Sequence, residues 1–274
     1  MTSRWLARLG MVLLALLVLG ALLVPWLAPT DPRVINDVLA LRLLPPFAVD
    51  HSGHLHLLGT DKFGRDVFTR MMLAARISLF VGLVGSVLAA ALGVVIGSVS
   101  GWLGGTADRL LSALGDTLLA VPRLILLLVC AALWQPGVTM VVSVLVLTGW
   151  MGVARLMRAE TLGVRARPFV EAARSLGAPP SRILWRHVLP NAIGPAIVAT
   201  TLGVGSAILL ESGLSFLGLG VQPPQPSWGN MLADGRDAIV TAPWIALAPG
   251  LALIATVLAC TLLGDALRDH LAGE

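Results

Sequence analysis

The sequence predicts an all-α membrane protein of about six transmembrane helices. Three observations carry that expectation. Hydrophobic residues make up 57% of the 274-residue chain and the mean hydropathy is +0.88, more apolar surface than a soluble domain can hide. Charged residues are only 12% and fall between long apolar runs. The densest charge, Arg155, Arg158, Arg165, Arg167, Arg174, Arg182 and Arg186, lies between two such runs. Positive charge beside membrane spans is retained in the cytoplasm, so this island predicts an inner loop.

In chain order, Arg4 and Arg8 precede an apolar run over residues 9–28, long enough for a first span. Bulky Trp26 and the following Pro29 fit a signal-peptide cleavage site badly, so the span is expected to stay, with the N-terminus inside. Residues 29–58 read as an outer loop, and its His51, His54 and His56 have the spacing of a weak metal site without a clear ligand partner. Residues 1–57 are set apart from a permease core at 58–274. The core opens on a helix capped by Thr60 or Asp61, with Val67, Phe68, Met71, Met72 and Ala75 on one face. Arg65, Asp66 and Arg70 fall on the other face, which predicts an amphipathic surface helix leading into span two at residues 77–102. Gly82, Gly85, Gly93, Gly97 and Gly101 mark that span for close helix approach.

Span three is expected over residues 110–134 and contains Asp116, Pro122 and Arg123. Ionisable groups inside spans are candidates for a transport path. Span four covers residues 138–157, span five 192–219 and span six 244–263, leaving residues 265–274 as an inner tail. Glu211 falls near the outer end of span five at helical rise, as an interfacial carboxylate with a possible gating role. The proline-rich stretch after it, with Gln222, Pro223 and Trp228, suits a rigid outer loop. Cys130 and Cys260 lie in apolar segments and read as packing residues, with neither a disulfide nor a metal centre expected.

The inner loop, residues 158–190, has legible chemistry. Pro168 suits a first helical turn and Glu171 complements the dipole there. Gly177 is a C′ stop, and Pro179-Pro180 prevents continuation. A second short helix runs from near Pro180 to Val188, and Pro190 interrupts the chain before span five. Ala172 and Ala173 leave a narrow surface that suits a partner's groove.

These residues carry a resemblance. Glu171-Ala172-Ala173, three residues, Gly177, then a segment ending Leu189-Pro190 resembles the signature loop of permease subunits of ABC importers. His187 stands where the general pattern has Ile, and His187-Val-Leu-Pro-Asn191 is similar to the peptide and nickel subgroup. Gly59-Thr60-Asp61, two residues, Gly64-Arg65-Asp66 is similar to C-type permeases of dipeptide and oligopeptide importers, and so is the stretch from Ser215 to Gly229. The resemblance implies the type I importer permease fold in a bacterial inner membrane, both termini cytoplasmic. It implies a second similar permease, two cytoplasmic ATPases that bind ATP and magnesium, and an extracytoplasmic binding protein facing Gln222, Pro223 and Trp228. It assigns ATPase coupling to Glu171, Ala172, Ala173, Gly177, Leu189 and Pro190, and peptide import to the assembly, with nickel, glutathione or another solute as alternatives. Asp116, Arg123 and Glu211 are the path candidates.

The chain has no Walker lysine loop, no Gly-x-Ser-x-Gly elbow and no His-Glu-x-x-His pair, so ATP hydrolysis is expected in other subunits and no cofactor in this one. An ion-coupled secondary transporter is the rival of a different class. It calls for midplane ionisable residues and internal repeats, and neither is clear here.

Overall fold

The computed structural model describes residues 2–27 and 38–272. The expected ends of span one at Ala28 and of the tail at Glu274, and loop residues 29–37, lie outside the described residues. The chain folds as α1 (Thr2–Leu27), α2 (Val38–Leu41), a hairpin of β1 (Ala48–Val49) and β2 (Leu55–His56), α3 (Val67–Leu103), α4 (Gly105–Ala120), α5 (Arg123–Leu133) and α6 (Val138–Arg165). Then come α7 (Pro168–Ser175), α8 (Pro180–Ile183), a π turn (Leu184–Val188), α9 (Leu189–Ala192), α10 (Gly194–Phe216), α11 (Trp228–Arg236) and α12 (Trp244–Ala272). Among the described residues α1, α3, α6, α10 and α12 are each long and apolar enough to cross a bilayer, and α4 with α5 counts as a sixth if the bent pair is one span.

The segment expected as span three, residues 110–134, is bent at Pro122. Val121 adopts an extended ψ of 128° before Pro122, whose ring disfavours a helical predecessor and which carries no N–H to continue the ladder. The helices on either side meet at 93°. Span two is longer than its apolar run: α3 has 37 residues, roughly 55 Å at helical rise. It begins inside the segment expected as a separate surface helix. Its cap is Asp66, whose carboxylate accepts from Thr69 N at 2.7 Å, rather than Thr60 or Asp61. Arg65 and Arg70, expected in water, are 8% and 5% exposed. Span four also runs on to Arg165, so Arg155, Arg158 and Arg165 stand on α6 itself.

The bundle is organised around α3 and α6. A Cβ built on Gly93 would lie 2.6 Å from Trp150 O, one on Gly97 2.2 Å from Ala154 O, and one on Gly101 2.8 Å from Arg158 O. Glycines four residues apart on α3 therefore meet carbonyls four residues apart on α6, backbone against backbone. Apolar packing fills the rest, with Val81, Val141, Val144 and Leu145 buried between α3 and α6. On the other flank Met71, Ala74, Ala75, Ile208, Ile245 and Ala252 bring α10 and α12 against α3. Helix α1 lies along α12 and α3, with Gly10 against Ala259 and Leu262 and Gly20 against Met72. Arg76 Nε and Nη2 donate to Ala21 O and Leu22 O at 2.6 and 3.0 Å, satisfying carbonyls in the last turns of α1. Gly194 faces Leu271, so the start of α10 and the end of α12 share the α7 end of the molecule.

A Gly97→Ala variant is expected to lose about 1–3 kcal/mol, because a backbone carbonyl rather than a flexible side chain must move. Gly163→Ala on α6, with open space around it, is expected to be neutral. Thermal unfolding midpoints of the two variants in detergent check the contrast.

Candidate functional site

The loop between α6 and α10 is a built surface. Helix α7 starts with Pro168 at N1 and ends in a Schellman motif. Ala178 N donates to Ala173 O at 3.1 Å and Gly177 N to Arg174 O at 3.0 Å. Gly177 takes φ +78°, which a residue with a Cβ adopts only under strain. The hairpin is anchored by Val170, Ile183, Leu184 and Val188, all buried against Trp102 of α3, Met157 and Val164 of α6, Ala192 of α9 and Ala196 of α10. Its outer side exposes Glu171, Ala172, Arg174 and Gly177. Leu176, 87% exposed, and half-exposed Phe169 and Trp185 add apolar area that no periodicity argument had singled out.

Two expectations about this loop change. Ala173 packs toward the anchoring core with Ala178, so only Ala172 of the pair belongs to the outer surface. The chain also passes Pro190 without a break. The turn before it widens, with Leu189 N donating to Leu184 O, which relieves the clash of a proline ring with the carbonyl of residue i−4. Asn191 Nδ2 supplies a donor to His187 O at 2.7 Å in place of the missing amide pattern. Leu189 packs on the core and Pro190 is exposed.

Directly behind the loop lies a node of charged side chains. Arg158 donates through Nε and Nη2 to the two oxygens of Asp108 at 2.6 and 2.7 Å, and Ser100 Oγ donates to the same carboxylate at 2.5 Å. Three helices, α3, α4 and α6, meet at one carboxylate. Asp116 accepts a single hydrogen bond, from Arg155 Nη2, and both residues are more than half exposed. Asp116 and Arg123 are not paired with each other. Arg123 Nε donates instead to Thr148 Oγ1 at 3.4 Å, and the guanidinium borders a cavity of about 240 Å³ between α3, α6 and α10. Fifty residues separate Asp108 from Arg158, so no spacing rule finds the pair.

At the opposite end, the Gly59–Asp66 stretch is an internal clamp. Asp61 accepts from Phe63 N and Arg65 N, and from Arg65 Nε at 2.7 Å and Arg70 Nη1 at 2.8 Å. Asp234 of α11 adds ion pairs to Arg70 at 3.3 Å and Lys62 at 3.0 Å. Thr60 Oγ1 donates to Leu41 O and accepts from Leu44 N, while Trp244 Nε1 donates to Thr60 O at 3.2 Å. Of the basic residues around the start of α3, Lys62, Arg65 and Arg70 are thus paired with carboxylates and Arg76 with α1 carbonyls. His56 sits beside this clamp, with Nδ1 2.9 Å from Asp66, and His54 lies 3.4 Å from Asp50. Among the described residues no group of three His, Cys, Asp or Glu could hold a metal ion. Cys130 and Cys260 are free thiols.

Glu211 and Trp228 both move from surface to interior. Glu211 is fully buried rather than interfacial, its carboxyl accepting from Ser215 at 2.7 Å, Ser78 at 2.9 Å and Ser212 at 3.4 Å. Ser78 in turn accepts from Trp228 N at 3.3 Å. Trp228 is itself fully buried and donates from Nε1 to Met71 O at 3.2 Å. Gly229 lets α11 close on Ser212 of α10, and Ser227 with Asn230 forms a capping box. Of the three residues expected on an outer docking loop, only Gln222 and Pro223 are exposed.

With this geometry in place, the chain matches two family descriptions. Residues 93–273 match the binding-protein-dependent transport system inner membrane component, and residues 2–46 match the N-terminal transmembrane domain of oligopeptide transport permease C. The chain belongs to this permease family. It is 36% identical to the oligopeptide transport system permease protein OppC of Bacillus subtilis over 98% of this chain and 86% of that one. It is 40% identical to the di/tripeptide transport system permease protein DppC of Pseudomonas aeruginosa, over 96% and 86%. The nickel transport system permease protein NikC of Escherichia coli is 40% identical, over 99% of this permease and 95% of the relative.

The permease's two kinds of ion pair are expected to respond differently. Asp61→Asn leaves two buried guanidinium groups short of a charge and is expected to cost about 3–5 kcal/mol. Asp116→Asn, in an exposed pair, is expected to cost about 0–1 kcal/mol. Chemical or thermal unfolding of the purified permease in detergent measures both.

Proposed function

We propose that this permease is one transmembrane subunit of an ATP-driven ABC importer for di- or oligopeptides. It forms the translocation path with a second, similar permease and works with two cytoplasmic ATPases and an extracytoplasmic binding protein. In this reading ATP and magnesium bind the ATPase subunits, and this chain performs no covalent step. The α7 end is cytoplasmic, and the start of α1 and the end of α12 lie on that side of the inner membrane.

The observation that carries the proposal is the form of α7. It is a short helix held from beneath by Val170 and presented outward through Glu171, Ala172, Leu176 and Gly177. A partner that pushes on α7 pushes on the ends of α3, α6 and α10 together, because Trp102, Met157, Val164 and Ala196 share its anchoring core. The Arg158–Asp108–Ser100 node passes the same displacement to α4. ATPase closure then favours one of two rigid packings of the bundle, and the free energy enters as their differential stability. Peptides are the first substrate class because OppC and DppC are named for them; nickel is the second, from NikC. Gln222 and Pro223, exposed at the far end, face the binding protein in this arrangement.

The decisive experiment is affinity purification of the permease from detergent-solubilised membranes. Recovery of two ATPase subunits and a second permease is expected, with recovery of the ATPases reduced by Glu171→Ala or Ala172→Trp while the second permease stays bound. Recovery of the chain alone, or only with copies of itself, would favour the ion-coupled transporter instead. Ala173→Trp is expected to lower the yield of folded protein as well, because that side chain points into the anchoring core.

A further inference from the structure

We propose that the cavity beside Arg123 is a subsite for the carboxylate of the transported solute, the C-terminal carboxylate of a short peptide. The inference rests on the import reading above and specifies what the path recognises.

The cavity holds about 240 Å³ and is walled by small residues of three spans, among them Ser86 and Ala89 of α3, Gly149 and Gly152 of α6, and Gly203 of α10. It lies midway along the spans: Gly85, another lining residue, is the central residue of α3, and Gly203 is near the middle of α10. Small side chains leave open space there, and one charged group enters it. Arg123 is the first residue of α5, directly after the Val121-Pro122 break, so the bend is what turns its side chain toward the other spans.

The guanidinium is oriented for a ligand. Thr148 Oγ1 donates to Val144 O at 2.8 Å, which leaves its oxygen to accept from Arg123 Nε at 3.4 Å. Arg123 Nη2 lies against Gly149, where an added Cβ would approach it to 3.2 Å. With Nε held at the side, both Nη groups are free of protein acceptors among the described residues. Six arginines of the bundle are matched: Arg65 and Arg70 on Asp61, Arg155 on Asp116, Arg158 on Asp108, and Arg76 and Arg165 on carbonyls. Among the described residues no carboxylate pairs with Arg123. A cation at this depth is costly without a counter-charge, and a planar fork of N–H donors is suited to a carboxylate. A solute that brings its own carboxylate supplies the missing partner, and a terminal ammonium is repelled.

The test uses the complete importer, with its partner permease, ATPases and binding protein, in proteoliposomes. ATP-dependent uptake is measured for one tripeptide and for its C-amidated form, in unaltered, Arg123→Gln and Arg123→Lys complexes. The ratio of variant to unaltered uptake is taken for each peptide, so that the binding protein's own preference cancels. Arg123→Gln is expected to reduce uptake of the free-carboxylate peptide roughly tenfold to a hundredfold, and of the amide by less than about twofold. Arg123→Lys is expected to fall between, since an ammonium keeps the charge and loses the fork. Recovery of the assembled complex is expected to be unchanged, which separates a recognition defect from misfolding. Equal loss for both peptides, or no loss for either, overturns the subsite while leaving peptide import standing. Absence of uptake of either peptide by the unaltered complex overturns the peptide reading and this inference with it.

Discussion

The close approach of α3 and α6 is the constraint on which the rest of the structure depends. Gly93, Gly97 and Gly101 remove every side chain from one stripe of α3, and the carbonyls of Trp150, Ala154 and Arg158 occupy the space. In a bilayer no hydrophobic force holds two apolar helices together, so dispersion contacts between closely approaching backbones carry much of that work. The stripe also fixes register. Once Gly97 lies on Ala154, Arg158 comes within reach of Asp108 and Ser100, and Trp102 reaches the core beneath α7. The arginine node and the anchored loop are consequences of how these two helices are phased.

At the other end of the bundle, buried polar groups perform a different task. Asp61 receives two backbone amides and two guanidinium groups, and Glu211 receives three serine hydroxyls. A buried carboxylate is tolerated only when its lone pairs are filled, so each fixes the positions of several partners at once. Asp61 joins the loop before α3 to α3 itself, with Asp234 of α11 alongside; Glu211 joins α10 to α3 and, through Ser78, to Trp228. Two of the stretches that carried the family resemblance thus act chiefly as fasteners at this end. The segment around Gln222 and Pro223 is exposed.

The proposed coupling contact and the proposed carboxylate subsite are parts of one mechanical frame. Helix α7 rests on the ends of α3, α6 and α10, and the same three spans wall the cavity beside Arg123. A displacement at α7 that re-angles these spans changes the size of the cavity and its access together. The Pro122 break places Arg123, the first residue of α5, at the wall of that cavity.

Much of this was written in local pattern. The apolar runs located the spans, because a bilayer demands about 20 apolar residues wherever a helix crosses it. Pro168, Gly177 and Pro179-Pro180 set the limits of α7, since φ restriction and the left-handed C′ residue act over a few positions. The glycine spacing on α3 announced a close helix neighbour but not which one. What only the tertiary structure decided were the partners of charge and the side each residue faces. Arg65, Arg70, Glu211 and Trp228 look like surface residues in sequence and are buried; for Arg70, Glu211 and Trp228 a partner stands 133 to 164 residues away. Asp108 and Arg158 look like loop charges and hold three helices. Periodicity reports the environment of a residue averaged over a turn, whereas a buried ion pair is a contact between two points. The physical reason for the division is that span length and turn chemistry are local, while charge compensation inside a membrane bundle depends on which helices have already come together.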